Sequence, residues 1–168
     1  MFDLVPLDRI SPVTVESLLD AAFGAGRHGR TAYRVRAGTA PIDALSFAAI
    51  EGETLVGSIQ CWPVALSGDG DGDGERVPMV MVGPVAVSSA RQNVGIGRAL
   101  MWRSIEAADA GSPTGSAALM LIGDPDYYAQ FGFDAAATGR WRLPGPFERH
   151  RLLARGPAVD RAGLLGPG

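Results

Sequence analysis

Residues 82–100 constrain this chain more than any other stretch. They read Val82-Gly83-Pro84-Val85-Ala86-Val87 and then, after a short connection, Gln92-Asn93-Val94-Gly95-Ile96-Gly97-Arg98-Ala99-Leu100. The first run predicts a buried strand and the second a glycine-rich loop opening a helix. The first amides of a helix have no acceptor within it, so such a loop presents several N–H groups outward. Gly95 and Gly97 carry no Cβ to hold a ligand away, and glycine tolerates positive φ. Arg91, Arg98 and Arg103 add positive charge to the same stretch. The pattern asks for a ligand bearing a pyrophosphate or a similar anion.

Two common phosphate loops do not fit. A P-loop ends in Gly-Lys-Ser/Thr; here Gly97 is followed by Arg98-Ala99, and the chain contains no lysine. A dinucleotide loop needs Gly-x-Gly-x-x-Gly in the first strand–helix unit; here the third glycine position holds Leu100 and the unit lies in mid-chain. Gln92-x-x-Gly95-x-Gly97, following a strand that ends Gly-Pro-Val-Ala-Val, resembles instead the acyl-CoA loop of the GNAT acetyltransferase superfamily. The likeness continues downstream. Leu119-Met120-Leu121-Ile122-Gly123-Asp124-Pro125-Asp126-Tyr127-Tyr128-Ala129-Gln130-Phe131-Gly132-Phe133 resembles the family's next strand, short helix and Tyr-x-x-Phe-Gly-Phe signature. Upstream, Ala22-Phe23, the run Leu45 to Ile50 and Val56-Gly57-Ser58-Ile59 are compatible with its first helix and its second and third strands. The resemblance covers residues 2–155 and is nearest to a bacterial N-acetyltransferase branch whose tyrosine motif reads Gly-Asp-Pro-x-Tyr-Tyr.

The resemblance implies an α/β fold with a mixed, mostly antiparallel sheet of six or seven strands flanked by helices. It places one GNAT domain at 1–155, leaving 156–168, rich in Gly and Pro, as a loose tail. It implies acetyl-CoA as cosubstrate, an amine as acceptor, direct attack in a ternary complex, and no metal. Homodimers are common in the family.

Composition is consistent with this. At 168 residues and 46% hydrophobic content, the chain is expected to form one globular domain. No apolar run reaches membrane-spanning length, and no secretory signal is evident at the N-terminus. One cysteine cannot make an internal disulfide, which fits a reducing cytoplasm. A net charge of −3 argues against nucleic acid as a partner. All 15 basic residues are arginine, a bias that suits either anion recognition or GC-rich codons.

The chain reads in order as follows. A first strand covers 2–7, and Ser11-Pro12 caps a helix that ends at Gly24 and Gly26. Residues 27–36 are basic and aromatic, and the resemblance sets them beside the acceptor. There Arg27, Tyr33 and Arg34 are candidate contacts for an acidic acceptor, or simply a solvated face. Strands follow at 44–51 and 54–64, turning at Glu51-Gly52-Glu53. Asp69, Asp71 and Asp73 mimic a calcium loop, but its twelfth position is Val80 where a bidentate Glu is needed, so a solvated hairpin is the better reading. The central strand at 77–87 is interrupted by Pro84, which cannot donate a ladder bond, so a bulge or a parting of strands is expected.

Acetyl transfer to an amine needs a polarised carbonyl, a stabilised oxyanion, a deprotonated amine and a protonated leaving thiolate. The resemblance assigns the carbonyl and pantetheine to backbone groups of Val85, Ala86 and Val87. It assigns the pyrophosphate to the loop Gln92, Asn93, Val94, Gly95, Ile96, Gly97 and Arg98. Tyr128 occupies the family's general-acid position and also borders the cofactor, with Tyr127 as competitor. The carboxylate that many members carry on the central strand is absent, since 77–82 reads Val-Pro-Met-Val-Met-Val. Asp124, Glu51 and Asp126 are the candidate bases, Asp124 first; a helix cap is its other role. Cys61 has no histidine near it in sequence, and His28 and His150 are too few for a metal site. Trp62 and Trp141 either line the acceptor cleft or fill the core. A non-catalytic CoA sensor on the same fold is the contrasting reading, and a nucleotide enzyme the third.

Overall fold

The computed structural model describes residues 1–68, 76–114, 117–158 and 160–168. The acidic repeat at Asp69, Asp71 and Asp73 lies outside them. The chain divides into two compact units. One holds Met1–His28, Pro41–Cys61 and Val82–Ser112; the other holds Gly29–Ala40, Trp62–Met81 and Pro113–Gly168.

In the first unit, strand β1 (Asp3–Pro6) pairs antiparallel with β2 (Phe47–Glu51), and β2 with the opening of β3 (Thr54–Ser67). The turn at Gly52 takes φ +61°, as the expected strand reversal requires. Helix α1 (Pro12–Phe23) begins where Ser11-Pro12 predicted and stops at Gly24, at φ +86°. Ser11 caps it with its backbone rather than its side chain: its carbonyl accepts from Thr14 and Val15 N–H. Leu7, Val15, Leu19, Ala48 and Ala86 form one core. Helix α3 (Ile96–Gly111) buries Ile96, Leu100, Met101, Ser104, Ile105 and Ala108, a single face at helical spacing. The two helices cover opposite faces of the strands. Ala48, paired with Ser58, packs beneath α1, whereas the neighbouring Gly57 faces Ile96 and Leu100 of α3.

The second unit contains the rest of β3, the start of β4 (Arg76–Val87), β5 (Leu119–Ile122) and β7 (Leu152–Arg155). It also contains the short helix α2 (Thr31–Val35), the two-residue β6 (Trp141–Arg142) and β8 (Gly163–Pro167). Strand β4 is parallel to β5 at Val80↔Leu119 and Met81↔Met120, ahead of the Gly83–Pro84 step. Strands β5 and β7 are antiparallel. The core here is Val35, Val64, Leu66, Met79, Met120, Trp141, Leu152 and Leu165. Trp141 is fully buried in it, which settles that residue as core.

Strand order runs β1-β2-β3-β4-β5-β7, with β8 on β3 and β6 on β8. The expected mixed, mostly antiparallel sheet is present, with eight strands among the described residues. Strand β8 corrects the tail. Residues 163–167 are not loose: Leu164 to Pro167 pair with β3, and Leu165 is buried. Glycine disguised this strand in the composition, yet it is what allows it. A Cβ on Gly163 would stand 2.7 Å from the Ser67 carbonyl oxygen.

Candidate active site

The Gly95–Gly97 loop belongs to the first unit and turns into a helix as its sequence demands. Strand β4 ends at Val87, a helical turn covers Ser89–Arg91, and Gly95 at φ +88° turns the chain into α3. Asn93 also takes positive φ, +66°. No side chain caps α3, and no acid stands in its first turn. Its first intrahelical bond is donated by the Ala99 N–H to the Gly95 carbonyl (3.0 Å). The amides of Ile96, Gly97 and Arg98 therefore precede the helix's own ladder, at the positive end of its dipole. Nothing lies within 4 Å of where a Gly95 Cβ would be. Gln92, Asn93, Val94, Gly95 and Arg98 are exposed there.

Two of the three arginines expected to reinforce this charge are otherwise engaged. Arg91 is ion-paired with Glu51 (2.6 and 2.8 Å), and Arg103 stacks on the Phe47 ring at 4.2 Å. Arg98, in the first turn, is exposed to solvent. The Arg91 pair also commits Glu51, one of the candidate bases.

The strand end sorts the three backbone candidates. Ser88 N–H donates to the Val56 carbonyl (2.8 Å), so alternate residues here turn their amides toward β3. By that alternation Ala86 faces β3, while Val85 and Val87 face away from it. The Val87 carbonyl accepts from Gln92 Nε2 (2.9 Å), which ties the loop back to the strand. Ala86 is thus removed from the expected backbone contacts, and its side chain lies in the core.

The tyrosine motif belongs to the second unit. Helix α4 (Pro125–Tyr128) is capped by Asp124, whose Oδ1 accepts from the Asp126 N–H (3.0 Å). Tyr127 is 40% exposed, whereas the Tyr128 ring is half-buried against Phe131 and Phe133. Burial pushes the Tyr128 phenol above its usual pKa. Tyr127 and, more weakly, Asp124 push the same way, and Arg151 pulls against them. Burial distinguishes Tyr128 from the exposed Tyr127. Sequence reasoning placed Gly123 in the tyrosine motif but gave it no role. A Cβ there would meet Tyr128 Cε2 at 2.3 Å, so the ring lies directly on the Gly123 backbone.

The expected acceptor contacts fare unevenly. Arg27 is 3% exposed and bound by Asp20 (2.9 Å) and Glu16 of α1; it holds the helix end and is not offered to a ligand. Its two partners are half-exposed and can rehydrate. Arg27→Ala should therefore lower stability by about 1–3 kcal/mol in chemical denaturation, with unchanged affinity for any acceptor. Arg34 is exposed and donates to the Pro144 carbonyl (3.3 Å). Tyr33 and Trp62 sandwich the buried Arg36 guanidinium at 4.0 and 3.8 Å. Cys61 is buried, and burial pushes its thiol up to about 12, so it stays protonated and unreactive at neutral pH. Among the described residues, no group of three metal-binding side chains occurs, and no helix is long and apolar enough to cross a membrane.

An uncapped helix start after a Gly-x-Gly loop is an anion-binding geometry, carried here by a mixed, mostly antiparallel α/β sheet. The chain belongs to the acetyltransferase (GNAT) family, whose model matches residues 14–133. The uncharacterized N-acetyltransferase YhbS of Escherichia coli (strain K12) is 34% identical over 107 residues, 61% of this chain; the match spans 58% of YhbS. Among solved structures, Escherichia coli YhbS in complex with CoA superimposes with a TM-score of 0.69 at 22% identity, over 100% of this chain and 89% of that one. A GNAT family acetyltransferase from Brucella melitensis in complex with acetyl-CoA gives 0.62 at 24% identity, over 100% and 96%. These two likenesses establish the fold.

Proposed function

We propose that this chain is an acetyl-CoA-dependent N-acetyltransferase acting on a primary amine in the cytoplasm. The uncapped start of α3 carries the reading: three consecutive amides and an open left-handed Gly95 suit the CoA pyrophosphate. A helix terminus contributes only about 0.3–1 kcal/mol per charge, so these N–H bonds act jointly. Micromolar binding needs about 8 kcal/mol, which leaves a large share to the pantetheine and adenine. That the relatives named above were solved with CoA and acetyl-CoA supports the same cosubstrate.

In the proposed reaction the amine nitrogen attacks the acetyl carbonyl, whose oxyanion is held by backbone N–H of Val85 and Val87. The tetrahedral adduct collapses, the C–S bond breaks, and Tyr128 gives its phenolic proton to the leaving thiolate. The ammonium proton leaves through water to Asp124, the second oxygen of which is not used by the helix cap. Asp124→Asn separates these roles, because Asn caps as well as Asp. Thiol release at neutral pH should fall in Asp124→Asn while stability holds, whereas Asp124→Ala should also lose about 0.5–2 kcal/mol of stability. An unchanged rate in Asp124→Asn removes Asp124 as base.

Calorimetric titration with acetyl-CoA, with ATP and NAD as controls, tests the reading. Micromolar binding of acetyl-CoA alone is the expected result. Failure of the folded protein to bind it, or preference for ATP or NAD, overturns the assignment. One observation favours a non-catalytic CoA sensor: Glu51 is committed to Arg91, and Asp124 to the cap. Binding without thiol release across an amine library would select that alternative.

A further inference from the structure

We infer that Gly57, in β3, is a positioning residue for the pyrophosphate loop. The inference rests on the acetyl-CoA reading above and deepens it. Glycine inside a strand costs stability and packs nothing, so its presence there points to a close approach. The backbone at Gly57 does not require glycine, for its φ is not in the positive range. The space does require it. A Cβ there would stand 2.6 Å from Ile96 Cγ2, 3.1 Å from Leu100 Cδ1 and 3.3 Å from the Ala86 carbonyl oxygen.

The neighbours cannot yield cheaply. Ile96 is β-branched and held near one χ1 on a helix, so its Cγ2 has no free rotation away. Ile96 and Leu100 are 1% and 0% exposed, in close-packed surroundings. Ordinary carbon contacts need about 3.5–4.0 Å, so a methyl at position 57 displaces the start of α3 by about 1 Å. Ile96 is the first residue of α3, between Gly95 and Gly97. The amides proposed to meet the pyrophosphate are its own and those of its two successors. N–H···O bonds operate over a few tenths of an ångström, so that displacement removes them. The missing side chain of Gly57 seats the anion-binding turn, though Gly57 touches no ligand.

The test compares wild type, Gly57→Ala, Ile96→Leu and Gly57→Ala/Ile96→Leu, each checked for fold by near-ultraviolet circular dichroism. Acetyl-CoA affinity is measured by calorimetry. Affinity for pantetheine, which lacks the pyrophosphate, is followed by NMR. Gly57→Ala should weaken acetyl-CoA about tenfold or more and leave pantetheine unchanged. Ile96→Leu deletes the crowding Cγ2 at equal volume, so the double variant should recover most of the loss. If Gly57→Ala alone does not fold, the double variant set against Ile96→Leu decides. Residual crowding at Leu100 and Ala86 should still weaken acetyl-CoA by about twofold, and equal affinities overturn the inference. Equal weakening of both ligands, or no change in Gly57→Ala where wild type binds acetyl-CoA, overturns it as well. Absence of binding by wild type itself overturns the acetyl-CoA reading first, and this inference with it.

Discussion

Tyr128→Phe is expected to lower kcat by about 10²–10⁴ while leaving acetyl-CoA affinity within twofold of wild type. The substitution removes one oxygen and keeps the ring, so the packing on Phe131 and Phe133 survives. The loss should therefore appear as rate and not as stability. The pH profile supplies a second, independent signature. Desolvation holds the Tyr128 phenol above its ordinary value of 10.0. The acid works only when protonated, and it is protonated throughout the range below that raised pKa. The alkaline limb of kcat due to Tyr128 thus lies above pH 10 in wild type and is absent in Tyr128→Phe. Stability follows the same sign: the neutral phenol suits the folded state, and the benefit is lost as pH rises through the raised pKa. Tyr127→Phe serves as the internal control, since that ring is exposed, and it should leave kcat within twofold. A Tyr128→Phe variant with wild-type kcat would falsify the general-acid assignment and favour the sensor reading.

What could be read in advance followed from local constraints. Gly95 favours φ +88°, and a helix begins after it, so the turn into α3 was legible. The Gly52 turn and the Pro12 helix start are of the same kind. Where two neighbours compete for one role, sequence leaves the phase open. Tyr127 and Tyr128 are adjacent and chemically identical, and only the direction of α4 buries one and exposes the other. Charge type is similarly uninformative about partners. Arg27, Arg91 and Arg103 looked available for an anion, yet Asp20 and Glu16, Glu51, and Phe47 claim them respectively. Strand β8 was illegible because its stabilisation comes from a distant partner, β3, and its Gly and Pro content argued the other way. Close approaches were the least visible. The roles of Gly57, inside a strand, and Gly123, inside the tyrosine motif, show only once the atoms facing the missing Cβ are known.

Gly123 carries the second large effect. Gly123→Ala is expected to reduce kcat about as far as Tyr128→Phe, by about 10²–10⁴, although residue 123 has no group that reacts. A methyl there would stand 2.3 Å from Tyr128 Cε2, 2.9 Å from Cδ2 and 3.3 Å from Leu121 Cδ1. Both ring atoms sit well inside contact distance, so the ring must leave its place. The backbone cannot move away instead, because the Gly123 N–H donates to the Arg151 carbonyl (2.9 Å) and anchors this corner to the chain before β7. Nor can α4 slide freely, since the Tyr128 N–H donates to the Asp124 carbonyl (3.0 Å) and its carbonyl accepts from Phe133 N–H (3.3 Å). The phenol oxygen, at the far end of the ring, is swung farther than the atoms that collide. Proton transfer requires heavy atoms about 2.6–3.2 Å apart, so such a swing disables the acid. The double variant Gly123→Ala/Tyr128→Phe discriminates this account from general loss of structure. If the methyl acts through the phenol, the double variant is no slower than Tyr128→Phe alone, because the group it displaces is already gone. If the losses multiply, Gly123 supports catalysis by some other route and Tyr128 is not its target. Acetyl-CoA titration completes the distinction: the loop proposed for the pyrophosphate lies elsewhere in the chain, so acetyl-CoA affinity should stay within twofold of wild type in both single variants.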